Sequence, residues 1–220
     1  MTLFANTINH SFKNNRILDS AELTCNSGEI TAIFGRNGSG KSTLMKILFG
    51  TQTPESIYLE INNVPTDPIN VRRDKLIAFL PQQTFLPLNT RVRDIIPIYF
   101  DESDQQNEIF YAPRMASIER KLVKNLSMGE RRYVELLLVS HLDHPIVILD
   151  EPFSMIEPMY KGIVASLLLE LKSHKCIIIT DHYYKDVLSV SDKNLILKDG
   201  KLISIKNSAD LRRQGYLSSE

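Results

Sequence analysis

At 220 residues, 43% hydrophobic and 24% charged, the chain is long enough for one large domain, or a core with an inserted subdomain, around a full apolar interior. Lysine plus arginine and aspartate plus glutamate balance at 26 each, so no net field draws the protein to nucleic acid or an anionic membrane, and no nucleic-acid partner is expected. No apolar run reaches the roughly 20 residues that cross a bilayer, MTLFANTINH lacks the regions of a secretory signal, and Cys25 and Cys176 lack metal-type spacing; the expectation is a cytoplasmic chain with two reduced, partly buried thiols.

LFANTI, AELTC and EITAIF read as strands, with turn signals at Asn14-Asn15 and Ser27-Gly28 between them. A glycine-rich segment follows, and KSTLMKILFG then has the helical spacing of Leu44, Ile47 and Leu48 and stops at Gly50. IYLEI and KLIAFL read as a second strand pair across NNVPTDPIN, ended by Pro81. From Thr84 to about Leu142 the pattern turns helical in RVRDIIPIYF, SIERKLVKNL and the stretch after Ser127. PIVILD, KCIIIT and NLILK then return as apolar strands, separated by the helices YKGIVASLLLEL and YKDVLSV, and NLILK forms a hairpin with KLISI across Asp199-Gly200. This order predicts an α/β chain: residues 1–83 and 143–220 form a core with a mostly parallel sheet and an antiparallel β subdomain, and residues 84–142 form a helical insertion.

GRNGSGKST places Gly35, Gly40, Lys41 and Ser42 in the phosphate-loop pattern G-x-x-x-x-G-K-[ST], between a strand and a helix. Glycines let the backbone amides of Gly35, Arg36, Asn37, Gly38, Ser39, Gly40, Lys41, Ser42 and Thr43 curl around phosphates. Lys41 supplies a point charge, and the Ser42 hydroxyl a ligand for Mg²⁺. IVILDEP ends a buried strand in Asp150 and Glu151 at the carboxyl edge of the sheet. Two carboxylates there call for a cation: Asp150 as an Mg²⁺ ligand, and Glu151 to polarise water attacking the γ-phosphate. LSMGE has the form of a capping box, Ser127 with Glu130, at a helix N-terminus that can also hold an anion.

With these motifs in this order the chain resembles the ATP-binding-cassette (ABC) ATPases over nearly its whole length, and LSMGE stands where that family carries its signature. The resemblance implies a P-loop NTPase fold, ATP and Mg²⁺ as cofactors, and cleavage of ATP at a site completed only in a dimer with itself or a related ATPase. It further implies Phe12 stacked on adenine and Gln82 on Mg²⁺ and the attacking water. His182 would bond the γ-phosphate, and Ser127 with Gly129 would reach the nucleotide of the partner. Arg131-Arg132 follow the signature in many relatives, and His141 and His144 read as a surface loop. Met128 stands where the first signature glycine is usual, Glu130 where glutamine is commonest, and Glu157 where aspartate is usual.

The function expected is an ATP-hydrolysing subunit of a membrane transporter, held at the cytoplasmic face of the membrane by a separate transmembrane permease. Phe85, Leu86, Ile95 and Tyr99 either line the docking cleft or pack in the core. LDEPF, TDH and LRRQGYLS resemble the ATPases of lipopolysaccharide export and branched-chain amino-acid uptake. The alternatives are a soluble ABC ATPase outside transport and an ATP-binding regulatory scaffold with weak hydrolysis.

Overall fold

The computed structural model describes residues 1–217. Strands β1 (Thr2–Phe12) and β2 (Asn15–Asn26) bury alternate residues, Leu3 and Ala5 on one, Ala21, Leu23 and Cys25 on the other. An irregularity around Thr7, whose φ is 48°, resets the alternation so that Ile8 also turns inward. Strand β3 (Ile30–Phe34) is buried throughout, and helix α1 (Lys41–Leu48) follows the glycine-rich loop. Strands β4 (Ser56–Ile61) and β5 (Val64–Pro65) complete an antiparallel sheet in the order β2-β1-β4-β5.

The second sheet has six strands. It takes in β6 (Ile77–Leu80), and helices α2 (Val92–Tyr99), α3 (Ser103–Phe110) and α4 (Met128–His141) then intervene before β7 (Ile146–Asp150). Helix α5 (Pro158–Leu171), strand β8 (Cys176–Thr180), helix α6 (Tyr184–Leu188), strands β9 (Lys193–Lys198) and β10 (Lys201–Ile205) and helix α7 (Ser208–Arg213) complete the chain. The order is β10-β9-β3-β8-β7-β6, parallel except for the edge strand β10. Strands buried on every residue have no polar face to offer water, so both faces are covered. Ile33, Ile146, Ile148 and Ile178 pack toward α1 and the antiparallel sheet, while Phe34, Val147, Leu149 and Ile179 join the core that contains α4 and α5.

Three local expectations give way. IYLEI and KLIAFL are not a pair: the first lies in the antiparallel sheet, the second at the edge of the parallel one beside β7. SIERKLVKNL is not a helix: a 3-10 turn at Met115–Ser117 ends on its first residue, and within it only Val123–Asn125 forms another. Its backbone is claimed elsewhere, because the Val92 and Arg93 amides donate to Lys121 O (3.1 Å) and Glu119 O (2.8 Å), and the Val123 amide to Thr90 O (3.0 Å). Helix α3 escapes the pattern because SDQQNEIF buries only Ile109. Cys25 and Cys176 are free thiols and fully rather than partly buried.

Among the described residues no helix is long and apolar enough to cross a membrane. Ile148 sits at zero exposure on β7, between β8 and β6, and Ile148→Ala is expected to cost about 2–5 kcal/mol of stability, read as a lower urea midpoint with an unchanged slope.

Candidate functional site

The loop after β3 is shaped by contacts that exclude side chains. A Cβ on Gly40, whose φ is 104°, would stand 2.6 Å from Ile17 Cγ2, so the turn into α1 admits only glycine without a shift. Lys41 follows at once and folds back over the loop, its Nζ donating to Gly35 O at 2.6 Å and Arg36 O at 3.3 Å. The residue is 7% exposed. Burial lowers its pKa, while the Glu151 and Asp150 carboxylates push it back up.

A cavity of about 470 Å³ opens above this loop. Phe12, Asn37, Gly38, Ser39, Gly40, Lys41, Ser42, Thr43, Gln82, Glu151 and His182 all line it, joined by His10, Ile17 and Gln52. Phe12 is 65% exposed at the end of β1, with Lys13 Nζ over its ring at 5.9 Å from the centroid. Gly35 and Arg36 are not among the walls. Gly35 is buried beneath the loop, and the Arg36 guanidinium turns away to donate to Gly215 O at 3.0 and 2.6 Å.

Asp150 lies deeper, 3% exposed, with Oδ1 accepting the Thr180 hydroxyl at 2.9 Å. Glu151 leaves the strand with φ at 60°, held by its amide donating to Thr180 O at 2.7 Å. Its Oε1 lies 2.9 Å from His182 Nε2, and its Oε2 accepts the Ser154 hydroxyl at 3.0 Å. Asp181, 1% exposed, fastens the two turns together: its carboxylate accepts the Phe153 amide (2.7 Å), the Tyr183 amide (3.0 Å) and the Ser154 hydroxyl (3.3 Å). Burial raises its pKa, against the hydrogen bonds from those amides. Ser154, Thr180 and Asp181 have no motif of their own in the sequence, although Thr180 and Asp181 lie inside TDH; their roles are tertiary, so spacing carries no signal for them.

Ser127 and Gly129 stand outside the cavity, at the start of α4. The capping box forms: the Ser127 hydroxyl accepts the Glu130 amide at 3.1 Å, and Glu130 Oε2 accepts the Ser127 amide at 2.8 Å. Lys121 Nζ takes the other oxygen at 2.9 Å. Met128 is 58% exposed. Gly129 is pressed against its own chain, since a Cβ there would meet Met155 O at 3.0 Å and Glu157 N at 3.2 Å. Among the described residues no group of three His, Cys, Asp or Glu could hold a metal. His141 is the last residue of α4 and His144 lies in the short connection to β7; both are half-buried.

Residues 18–154 match the family model described as ABC transporter. The chain belongs to that family. It is an ATP-binding subunit of the ABC transporter type and shares that description with the relatives it resembles. The lipopolysaccharide export system ATP-binding protein LptB of Escherichia coli (strain K12) is 28% identical over 92% of this chain and 89% of its own. A probable ABC transporter ATP-binding/permease protein of Haemophilus influenzae is 29% identical over 89% of this chain but only 38% of its own length. In fold, the chain is similar to a solved ATP-binding subunit of an ABC transporter, with a TM-score of 0.84, 19% identity and coverage of 98% of this chain and 94% of that one.

Burial pushes the Glu130 carboxyl up, but hydrogen bonds from Lys121 and the Ser127 amide, with the charges of Lys121 and Arg114, outweigh it and hold the pKa below the usual value. Its contribution to stability is therefore complete above about pH 4.3 and is lost as pH falls through the lower native value. Glu130→Gln is expected to cost about 1 kcal/mol at neutral pH. The gap to wild type should close in acid, as read by thermal melts between pH 3 and 7.

Proposed function

We propose that this chain hydrolyses ATP for a membrane transporter. It works as a dimer with itself or a related ATPase, seated at the cytoplasmic face on a separate transmembrane permease. In this reading residues 1–83 and 143–220 form the nucleotide-binding core and residues 84–142 the insertion that carries the signature. One observation supports it above the others: a single cavity gathers an aromatic face, an amide-lined loop with its lysine, a glutamine, a glutamate and a histidine, while Ser127 stands outside.

Phe12 offers its ring to adenine. The amides of Asn37 to Thr43 and the Lys41 ammonium receive the phosphates, whose oxygens replace Gly35 O and Arg36 O as acceptors for Nζ. The Ser42 hydroxyl, the Gln82 side-chain carbonyl and the Asp150 carboxylate are oxygen donors of the kind a hard dication takes, and with phosphate oxygens they suit Mg²⁺. When bound, that ion neutralises charge on the transferring phosphoryl group. Glu151 orients water and accepts its proton, and His182 donates to the γ-phosphate.

Both Glu151 oxygens have partners within the chain, His182 on Oε1 and Ser154 on Oε2. Drawing His182 onto a γ-phosphate releases Oε1 for water, so substrate itself arms the base. Ser127 and Gly129 come from the partner subunit, whose α4 N-terminus presents its dipole to the phosphate.

For the permease, a groove of about 360 Å³ lies between core and insertion, walled by Phe49, Phe79, Pro81, Phe85, Tyr99 and Val139. Phe85 and Tyr99 face it, whereas Leu86 and Ile95 are buried in the core. Its apolar walls suit an amphipathic helix of a membrane partner.

Glu151→Gln is expected to lower turnover by about 10²-fold or more, and to move the protein from monomer to dimer on size exclusion at saturating Mg-ATP. Monomers that persist under those conditions would sink the shared-site reading for two identical copies.

A further inference from the structure

Two ionisable side chains are buried in α4 away from the nucleotide cavity. Arg132 is 4% exposed and Glu135 is not exposed at all. Their closest approach, Arg132 Nη1 to Glu135 Oε2, is 3.5 Å, at the long limit of a hydrogen bond. Their stronger bonds go to the backbone of other segments. Arg132 Nη1 donates to Pro81 O at 2.7 Å, and Nη2 donates to Asp150 O and, at 3.3 Å, to Glu151 O. Glu135 Oε1 accepts the Phe85 amide at 2.9 Å.

One buried pair therefore grips both flanks of the Gln82 segment and, on its other side, the end of β7 with the turn that carries Glu151. A buried ion pair is a poor source of stability compared with apolar packing of the same volume. A left-handed conformation at a non-glycine residue such as Glu151 persists only where its surroundings over-determine it. The Arg132 guanidinium is one of those surroundings, and the Thr180 carbonyl is another. Pro81 and Phe85, held from the other side, are walls of the apolar groove.

We propose that Arg132 and Glu135 form a positioning pair for hydrolysis. They tie the Gln82 segment and the Glu151 turn into one body, so that displacement of the groove wall at Pro81 and Phe85 is delivered to the Glu151 carboxylate. The proposal rests on the reading of the chain as an ATPase docked through that groove. Neither side chain reaches the cavity, so the pair acts through the backbone it holds.

The test uses full-length protein carrying Arg132→Met, Arg132→Lys or the double change Arg132→Met with Glu135→Leu. Removing both charges together leaves neither one buried and unpaired, which offsets part of the cost of orphaning the Phe85 amide and the Pro81 carbonyl, so the double variant is expected to fold and to melt within a few degrees of wild type. Its kcat should nonetheless stay down by about tenfold or more, with KM for ATP within about twofold of wild type. Amide hydrogen exchange should rise over 84–86 and 150–154 together, while the central strands stay protected. Arg132→Lys keeps the charge but not the fork that spans two carbonyls, and is expected to fold and to show the same kcat loss in weaker form.

A double variant that recovers full turnover, or that leaves exchange over 150–154 at the wild-type level, overturns the proposal. If the double variant does not fold, Arg132→Lys decides by the same two readouts. The exchange measurement needs no turnover, so a wild-type chain that cleaves no ATP would defeat the ATPase reading while the pair is still judged on 150–154.

Discussion

Parallel pairing of β3 with β8 and of β8 with β7 is the constraint on which the site depends. Parallel strands end on the same edge, so the loop after Phe34, the Asp150-Glu151 step and the Asp181-His182 step are delivered to one place although they are distant in sequence. The register is then pinned locally: Asp150 pairs with Thr180 across the ladder, accepts its hydroxyl, and is followed by a Glu151 amide that donates to Thr180 O. A slip of one residue would turn Asp150 to the opposite face of the sheet and carry Glu151 away from His182.

The charged groups of the cavity hold one another and their own backbone. Lys41 is buried and satisfied by carbonyls of its own loop, which are weaker partners for an ammonium than phosphate oxygens. Glu151 is satisfied by Ser154 and His182. Each charged group thus has a partner within the chain, so neither charge is buried bare.

The two readings of LSMGE reconcile in the Ser127 hydroxyl. It accepts the Glu130 amide and still has its own proton to donate outward. Glu130 spends its charge on the Ser127 amide and on Lys121, so it does not oppose an anion at the helix end. Gly129 is closely packed within the chain, where a Cβ would crowd the loop at Met155 to Glu157. The Met128 side chain stands in solvent on the exposed face of the same turn.

What the sequence determined by itself was whatever depends on neighbours along the chain. Apolar runs marked the buried strands, glycine spacing and Lys41 marked the phosphate loop, and Ser127 with Glu130 marked the cap, because strand burial, loop curl and capping are local physics. The family pattern supplied Phe12, Gln82 and His182, and the fold brings all three to one cavity. Tertiary structure alone decided that 119–124 gives its backbone to 88–93 instead of to a helix of its own, and that IYLEI and KLIAFL part into different sheets. It alone placed Arg132 on the carbonyls of Pro81 and Asp150, Ser154 on Glu151, and Asp181 beneath both turns. Those bonds join residues far apart in the chain, and a hydrogen bond between remote segments has no period or spacing by which a sequence can announce it.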